Sequence, residues 1–487
     1  MSRLDFSMYA QLFSKDRNIV VQSAEHIKHA LAMASVADIF AIRHHFGYGY
    51  HQYYQHEDWK TFDPSALIDK VDSGAFLAIC SLGTFHSNGY YRERCLNQLA
   101  EIGSGLALPY VFLLLNNWVP AIRQQAIKVS LQLLKTATMT EVISALCFFE
   151  AAERGQRQAA RDTAAIYVAI REKIFDITPE RIAQEPIYVR RLCYKILLKG
   201  EPQLPMQILL QLLEQERDIG NRIIVARAIM VRKPEDAVVD MLCHDRVASV
   251  RLFALMKKYK QKGLWAGITS FLMDKNASIR AFVGYCLRKR GDDVAEFYRR
   301  QLAQEPSAIA IRGIGETGKA NDAALITPYL EPDTAPAFLK AAVVSTARLI
   351  GQQSEAMLLQ MLFHKNAGKI AYQLIRKMKI PVSPKLCYDS YLSAETELTK
   401  ARVLSLLLYS TVDTWERMLC MLKLFNILSY SYKCAVDSQI LYSSDYTKPD
   451  KNIIEQIEEA MTKADLKPHV RNTLELSLKY WKAQGGV

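Results

Sequence analysis

The chain has 487 residues, of which 50% are hydrophobic and 23% charged, and its formal net charge is +12. This length exceeds the roughly 250–300 residues that one hydrophobic core usually serves, and the longest apolar run, residues 105–115, is shorter than the about 20 residues of a membrane-spanning helix. Because residues 1–5 also lack the apolar segment of a signal peptide, we expect a soluble, cytoplasmic protein, unless an N-terminal anchor has been removed.

Residues 1–90 are predicted to form an N-terminal helical cap that contains a Tyr/His-rich loop at residues 44–60. The loop holds four histidines followed by Glu57 and Asp58, which could ligate a metal ion, but we predict no metal site, because no pair of histidines four residues apart encloses a glutamate. Aromatic rings with polar tips suit protein contacts. The candidate partner-binding residues of this loop are Tyr48, Tyr50, Tyr53, Tyr54 and Trp59.

A basic residue recurs every 28 to 34 residues through residues 91–428, each time early in an apolar helical pattern. The residues of this ladder are Arg92, Arg123, Arg157, Arg190, Arg222, Arg251, Arg280, Arg312, Lys340, Lys369 and Lys400. A period of 20 to 50 residues is typical of stacked repeats, in which each unit packs only on its neighbours. We therefore predict one long repeat array.

The segments 245–254 and 274–283 show the repeat most clearly. Each places a turn-forming Asp or Asn before a helix, where a side-chain oxygen can cap free backbone N–H groups. A β-branched residue and the ladder arginine follow, and apolar residues then recur at three-to-four spacing. That spacing predicts one buried helix face, and apolar helices are predicted ahead of each segment, at 237–243 and 264–273.

These units resemble HEAT repeats, because a turn is followed by Val/Ile-Arg, with a small residue three positions later in several units. The same pattern occurs at 120–126, 186–193 and 468–471, and residues 311–350 resemble a bacterial HEAT unit, with a Gly-Ile-Gly turn at 313–315. The resemblance implies an all-α fold, a right-handed α-solenoid of about ten or more helix-turn-helix repeats. It also implies that the ladder arginine bonds to an acid or carbonyl of a neighbouring repeat.

Residues 313–319 match GxxxxGK, the phosphate-binding loop, which normally follows a strand and opens a helix. Ala320 stands where a Ser or Thr hydroxyl would hold magnesium. Because the repeat register explains the glycines as a turn between repeats, we predict no nucleotide site and no cofactor.

Positive charge is concentrated between residues 221 and 300, where 17 Lys and Arg face 8 Asp and Glu, a net of +9 of the total +12. The cations cluster near the ends of predicted second helices. We expect them to form an exposed basic ridge along one edge of the array, consisting of Arg232, Lys233, Lys257, Lys258, Lys260, Lys262, Arg288, Lys289 and Arg290. The helix macrodipole also favours cations at such ends, but groups of two, four and three cations in three neighbouring repeats exceed that need. The ridge is therefore a candidate site for an acidic protein, for nucleic acid or another polyanion, or for an anionic membrane.

Beyond the array, residues 429–450 are predicted to be a loop insertion and residues 451–487 a C-terminal capping repeat. The nine cysteines are scattered through apolar helix faces and do not form a CxxC pair. They are expected to be buried, reduced thiols.

No catalytic constellation is present in the sequence, so we expect a non-enzymatic scaffold or adaptor that binds a partner protein through the solenoid surface. The alternative is a nucleic-acid-binding protein that uses the basic 221–300 region. It could be related to the HEAT-like alkylpurine DNA glycosylases, which use aromatic residues and a carboxylate in a basic concave face. Trp265 and Asp274 are the residues of that kind near the basic stretch.

Overall fold

A computed structural model describes residues 7–48, 59, 61–155, 160–200, 203–409, 414–442 and 449–485. Throughout these residues the chain is all-α, with 28 α-helices, short 3-10 helices and no strand. The chain divides into two compact units, Met1–Lys258 and Tyr259–Val487.

The first unit contains fourteen helices and most of a fifteenth, α15, in which the boundary between the units falls. Their bounds are α1 Ser7–Ala10, α2 Arg17–Ala32, α3 Val36–Tyr48, α4 Ser73–Gly83, α5 Gly89–Ile102, α6 Leu108–Leu114, α7 Pro120–Thr136, α8 Met139–Glu153, α9 Ala160–Ile174, α10 Pro179–Gln184, α11 Ile187–Leu197, α12 Met206–Gln215, α13 Ile219–Val231, α14 Asp236–Cys243 and α15 Ala248–Lys262.

Helices of the first unit pack in two stacked rows. In one row α5 packs on α7, α7 on α9, α9 on α11 and α11 on α13, and in the other α6 packs on α8 and α10 on α12. Consecutive helices join the rows, as α6 does with α7 and α12 with α13. Each helix therefore buries its apolar face mainly against near neighbours in the chain, as stacked repeats do.

Local sequence signals fix several helix ends in this unit. Asn88 caps α5 by accepting from the backbone N–H groups of Tyr90 and Tyr91. The same helix ends at Gly103, whose φ of 70° lies in the left-handed region that glycine adopts without steric cost. Thr138 and Glu141 form a reciprocal capping box at the start of α8.

The second unit contains the end of α15 and thirteen further helices. Their bounds are α16 Ala277–Arg290, α17 Val294–Gln304, α18 Ala308–Thr317, α19 Ala323–Ile326, α20 Pro336–Ile350, α21 Glu355–Leu362, α22 Gly368–Met378, α23 Pro384–Ser393, α24 Glu397–Tyr409, α25 Thr414–Leu424, α26 Tyr430–Tyr442, α27 Lys451–Lys463 and α28 Pro468–Gly485.

This unit also has two stacked rows. One row runs α18, α20, α22, α24, α26 and α28, each packed on the next, and the other includes α23, α25 and α27. The apolar side chains between the rows form a continuous buried cluster from Leu339 to Leu478. The stacking accounts for how a chain of this length avoids a single large core.

Three sequence-based boundaries are wrong. Most of the predicted loop at 429–450 is the helix α26, because Val436 and Ile440 are four residues apart and both are buried. The predicted loop at 44–60 starts later, since α3 continues to Tyr48; residues 49–58 and 60 lie outside the described part of the chain. The predicted helix at 264–273 is a shorter 3-10 helix, Ile268–Met273, preceded by Gly267 at φ 89°.

All nine cysteines are free thiols, and seven of them are buried, which confirms the prediction of reduced, buried cysteines. Among the described helices, none combines the length and the apolar character required to cross a bilayer.

Candidate interaction surface

Five ladder arginines share one hydrogen bond. In each case guanidinium Nη1 donates to the backbone carbonyl six residues earlier, at a distance of 2.7–2.9 Å. The five donors are Arg92, Arg123, Arg222, Arg251 and Arg280. Because that carbonyl lies in the turn before the helix, the arginine ties the turn to the helix that follows. The predicted register of the ladder is confirmed at these positions.

Three ladder arginines also bind an acid from the next repeat. Arg190 pairs with Glu216 at 3.0 Å. The buried Arg222 pairs with Asp245, with Nε 3.0 Å from both carboxylate oxygens. These contacts join successive helix pairs and confirm the expected use of the arginine between repeats.

Arg280 forms the third pair, with Nε 2.9 Å from Glu316 Oε2. The ladder is less regular elsewhere: Arg190 reaches a carbonyl five residues earlier, Arg312 is exposed on α18, and Arg157 lies outside the described residues. Most ladder arginines are therefore structural, and the surface that can meet a partner must be sought elsewhere.

The basic ridge residues of the first unit are Arg232, Lys233, Lys257 and Lys258. Lys233 and Lys257 are exposed. The expectation of exposure is wrong for Lys258, which is buried and forms an ion pair with Asp240. Arg232 is also less exposed than expected, because it is partly buried and donates to the Leu204 carbonyl.

The burial of Lys258 has a signal in the sequence. Val250 and Ala254 are fully buried, and Lys258 continues the same stripe at four-residue spacing. The neighbouring Lys257 falls outside this stripe, and its ammonium lies 5.7 Å from the Phe253 ring centroid. Helix phase therefore separates a structural lysine from an exposed one.

The ridge residues of the second unit are Lys260, Lys262, Arg288, Lys289 and Arg290, and all five are exposed. Arg290 pairs with Asp292, with Nε 2.9 Å from Oδ2. Among the described residues, no acidic side chain pairs with Lys257 of the first unit or with Lys260 and Lys289 of the second. Helix-end pairing with acids thus neutralises only part of the predicted ridge.

Trp59 of the predicted N-terminal loop is not available to a partner, because it is buried in an aromatic cluster. The centroid of its ring lies 4.4 Å from the ring centroids of Phe13 and His86 and 4.8 Å from that of Tyr91. The other candidates are untested, since Tyr50, Tyr53 and Tyr54 lie outside the described residues, as does the side chain of Tyr48. His51 and His56 of the histidine group are also outside them.

His86 in this cluster makes the N-terminal region sensitive to acid. Burial lowers its pKa to about 3, and the nearby Arg92 adds to the effect. Between about pH 6.5 and pH 3 the unfolded state binds a proton that the folded state does not, so stability present above pH 6.5 is lost as pH falls, at about 1.4 kcal/mol per pH unit.

We expect the amide protection of α4 and α5 in hydrogen exchange to decline between pH 6.5 and pH 4.5, after correction for intrinsic rates. His86→Asn keeps an acceptor for the Asn88 N–H, which His86 Nδ1 accepts at 3.0 Å, and should flatten that decline. The exposed His469 provides the control His469→Asn, which should leave it unchanged. An equally steep decline in the His86 variant would contradict this assignment.

The GxxxxGK segment forms no phosphate-binding loop. Gly313 and Gly315 lie inside α18, and not in the predicted turn. A Cβ at Gly313 would lie 2.2 Å from the Tyr298 ring and one at Gly315 would lie 2.4 Å from Ser345 Cβ, so both glycines permit close helix packing. The Lys319 N–H, which a phosphate would need, donates to Asp322 at 2.7 Å.

We therefore expect MgATP to leave the melting temperature of the protein unchanged, and Lys319→Ala to behave like the native chain. Calorimetric titration with ATP and GTP checks this directly. Nucleotide binding that disappears in the Lys319 variant would show that the segment binds phosphate after all.

Trp265 and Asp274, the residues that raised the glycosylase alternative, both lie in turns between helices. Trp265 lies in the turn before the 3-10 helix and not in a first helix as predicted. The Asp274 carboxylate accepts from the Asn276 N–H at 2.7 Å, and its carbonyl accepts from Arg280. Both acceptor groups of Asp274 therefore take part in the repeat turn.

No family model matches the chain, and no curated protein matches it. One solved structure that aligns with it is described as "Structural Basis of Tubulin Recruitment and Assembly by Microtubule Polymerases with Tumor Overexpressed Gene (TOG) Domain Arrays". The alignment covers 94% of this chain and 99% of that chain at 12% identity, with a TM-score of 0.17. A TM-score this low does not establish a shared arrangement of helices.

Proposed function

We propose that this chain is a non-enzymatic HEAT-like α-solenoid that serves as a scaffold and binds an acidic protein partner through exposed basic side chains of residues 221–300. The observation that carries the proposal is that Lys257, Lys260 and Lys289 are exposed and have no acidic partner among the described residues. Charges that remain unneutralised on a surface attract partners of opposite charge and set association rates.

The hydrogen-bonding pattern supports the repeat part of the proposal. Five equivalent arginine-to-carbonyl bonds and three arginine-to-acid bonds recur with the ladder period. A right-handed superhelical path of the stacked repeats within each unit, of the kind found in HEAT arrays, is part of the proposal. A cytoplasmic location is also part of it, because nine free cysteines suit a reducing compartment.

Nucleic-acid binding is the second candidate, and the net charge of +9 over residues 221–300 favours it. The salt dependence of DNA binding tests the two candidates against each other. Binding to phosphates should fall with salt at a log–log slope near 0.9 per phosphate neutralised. If the protein is a scaffold, we expect the A260/A280 ratio of the purified protein to be that of a protein free of nucleic acid. We also expect that it does not shift DNA in a gel at about 150 mM salt. A shift that persists there, with a slope above about 4, would contradict the scaffold and favour the second candidate.

A further inference from the structure

A cavity of about 390 Å³ opens in the second unit between α16, α18 and α20. Small residues line part of it, namely Ala277 and Ala281 of α16 and Gly315 of α18. Ala277 and Ala281 leave room for a side chain to enter, where larger residues would fill the gap, while Gly315 lets α18 pack closely on α20 at Ser345. Neither the repeat pattern nor the basic ridge predicted this cavity.

The charged residues that line the cavity are three arginines and one glutamate, namely Arg280, Arg288, Arg348 and Glu316. Three positive charges and one negative charge give a local net charge of +2. The buried Arg280 is already committed, because it binds Glu316 and donates to the Asp274 carbonyl at 2.7 Å. The excess charge therefore resides on the other two arginines.

Arg288 and Arg348 are the cavity cations that remain open to a ligand. Both are exposed, and Arg288 has no hydrogen-bond or ion-pair partner among the described residues. Arg348 forms an ion pair with Glu316, but the 3.6 Å between Nη1 and Oε1 is too long for a hydrogen bond, so the Arg348 N–H groups can still donate to a ligand. The planar guanidinium group matches the two oxygens of a carboxylate and forms strong, charge-assisted hydrogen bonds with it.

We propose that this cavity binds a carboxylate side chain of an acidic peptide, with Arg288 and Arg348 as the binding residues. The proposal rests on the scaffold function above and specifies where an acidic segment of the partner docks. Ala277 and Ala281 accept the aliphatic part of a Glu or Asp side chain, and the two arginines hold its carboxylate.

Features of the cavity favour a peptide carboxylate over a nucleotide. The Tyr298 ring is buried and its hydroxyl donates to the Leu272 carbonyl at 2.7 Å, so it offers no open face on which a base could stack. The Thr317 hydroxyl donates to the Gly313 carbonyl, so its proton is already used and is not directed at a phosphate. The Glu316 carboxylate in the wall repels a phosphate dianion more strongly than a singly charged carboxylate.

Fluorescence anisotropy with a fluorescein-labelled hexaglutamate peptide at about 50 mM salt, where charge screening is weak, tests the proposal on the full chain. We expect the double variant Arg288→Ala/Arg348→Ala to bind the peptide at least about tenfold more weakly, since hydrogen bonds to charged groups contribute most to such affinity. The matched control is Arg300→Ala/Arg312→Ala, which removes two exposed arginines of the second unit outside the cavity and should change affinity less than about twofold.

Equal losses in the two double variants would overturn the cavity assignment and indicate binding to overall charge. Absence of peptide binding by the native chain would overturn it as well. Displacement of the peptide by inorganic phosphate or ATP at lower concentration than by free hexaglutamate would overturn the choice of a carboxylate ligand. Circular dichroism verifies that both variants fold. The scaffold itself is tested separately with lysines that do not line the cavity, so either proposal can fail while the other stands.

Discussion

Replacing Arg222 with alanine is expected to lower the free energy of unfolding by about 3–5 kcal/mol, the range for breaking a buried ion pair by removing one partner. Arg222 and Asp245 are 7% and 8% exposed, so the variant leaves a carboxylate with little access to water. It also removes the donor to the Glu216 carbonyl, which Arg222 Nη1 reaches at 2.9 Å. Chemical denaturation followed by circular dichroism measures the loss.

The ladder offers its own matched control in Arg312, which has the same position in the sequence pattern but is exposed. Arg312→Ala should change stability by less than about 0.5 kcal/mol. In the double variant Arg222→Ala/Asp245→Ala the loss should be smaller than the sum of the two single losses, because the two side chains act as one pair. A small effect of Arg222→Ala, similar to that of Arg312→Ala, would show that the ladder arginines do not hold the repeats together.

The second large effect is expected at Lys258. Lys258→Glu places a carboxylate against Asp240 in a buried position and should cost about 2 kcal/mol. The cost is lower than for a fully enclosed pair, because 51% of the Asp240 side chain is exposed and water screens the repulsion. Lys260→Glu, at an exposed position of the same helix, should cost less than about 0.5 kcal/mol.

Thermal unfolding of the two lysine variants checks this difference. Equal melting temperatures would contradict the burial of Lys258. Exchanging the two charges, by adding Asp240→Lys to the Lys258→Glu variant, should recover part of the lost stability, because the ion pair is then restored with opposite polarity. The result also decides which lysines are suitable for tests of function.

The ladder could be predicted from sequence because its key contact is local. Five ladder arginines bond to a carbonyl only six residues earlier, so the turn and the following helix carry most of the pattern. The helix rows follow from the same periodicity. The acid that each arginine meets was harder to predict, because Glu216, Asp245 and Glu316 lie 23 to 36 residues further along the chain.

Contacts between distant segments account for the errors. Trp59 in a Tyr/His-rich segment has the composition of a binding loop, but Tyr9, His86 and Tyr91 from elsewhere in the chain enclose it. The repeat register predicts Gly313 in a turn between repeats, whereas its lack of a side chain is needed where Tyr298 packs on α18.

The cavity was missed for a similar reason. Arg348 lies near the end of α20 and is 32 residues beyond Glu316, so only the packing of α18 against α20 brings the two side chains to one place. A period in the sequence predicts which helices are neighbours. It does not predict which small residues leave a gap between them.

Charge reversal combined with affinity capture tests whether exposed lysines of residues 221–300 bind an acidic protein. The variant Lys257→Glu/Lys260→Glu/Lys289→Glu omits Lys258 and keeps every cavity residue. Its matched control, Lys365→Glu/Lys385→Glu/Lys479→Glu, changes net charge equally at exposed lysines outside that region.

Capture from extract of the native host, quantified by mass spectrometry, should recover an acidic partner with the native chain and with the control. Recovery should fall at least about tenfold with the 257/260/289 variant, because like charges across an interface cost several kcal/mol. Undiminished recovery of the same partner by that variant, with helicity and melting temperature unchanged, would contradict the proposed binding surface.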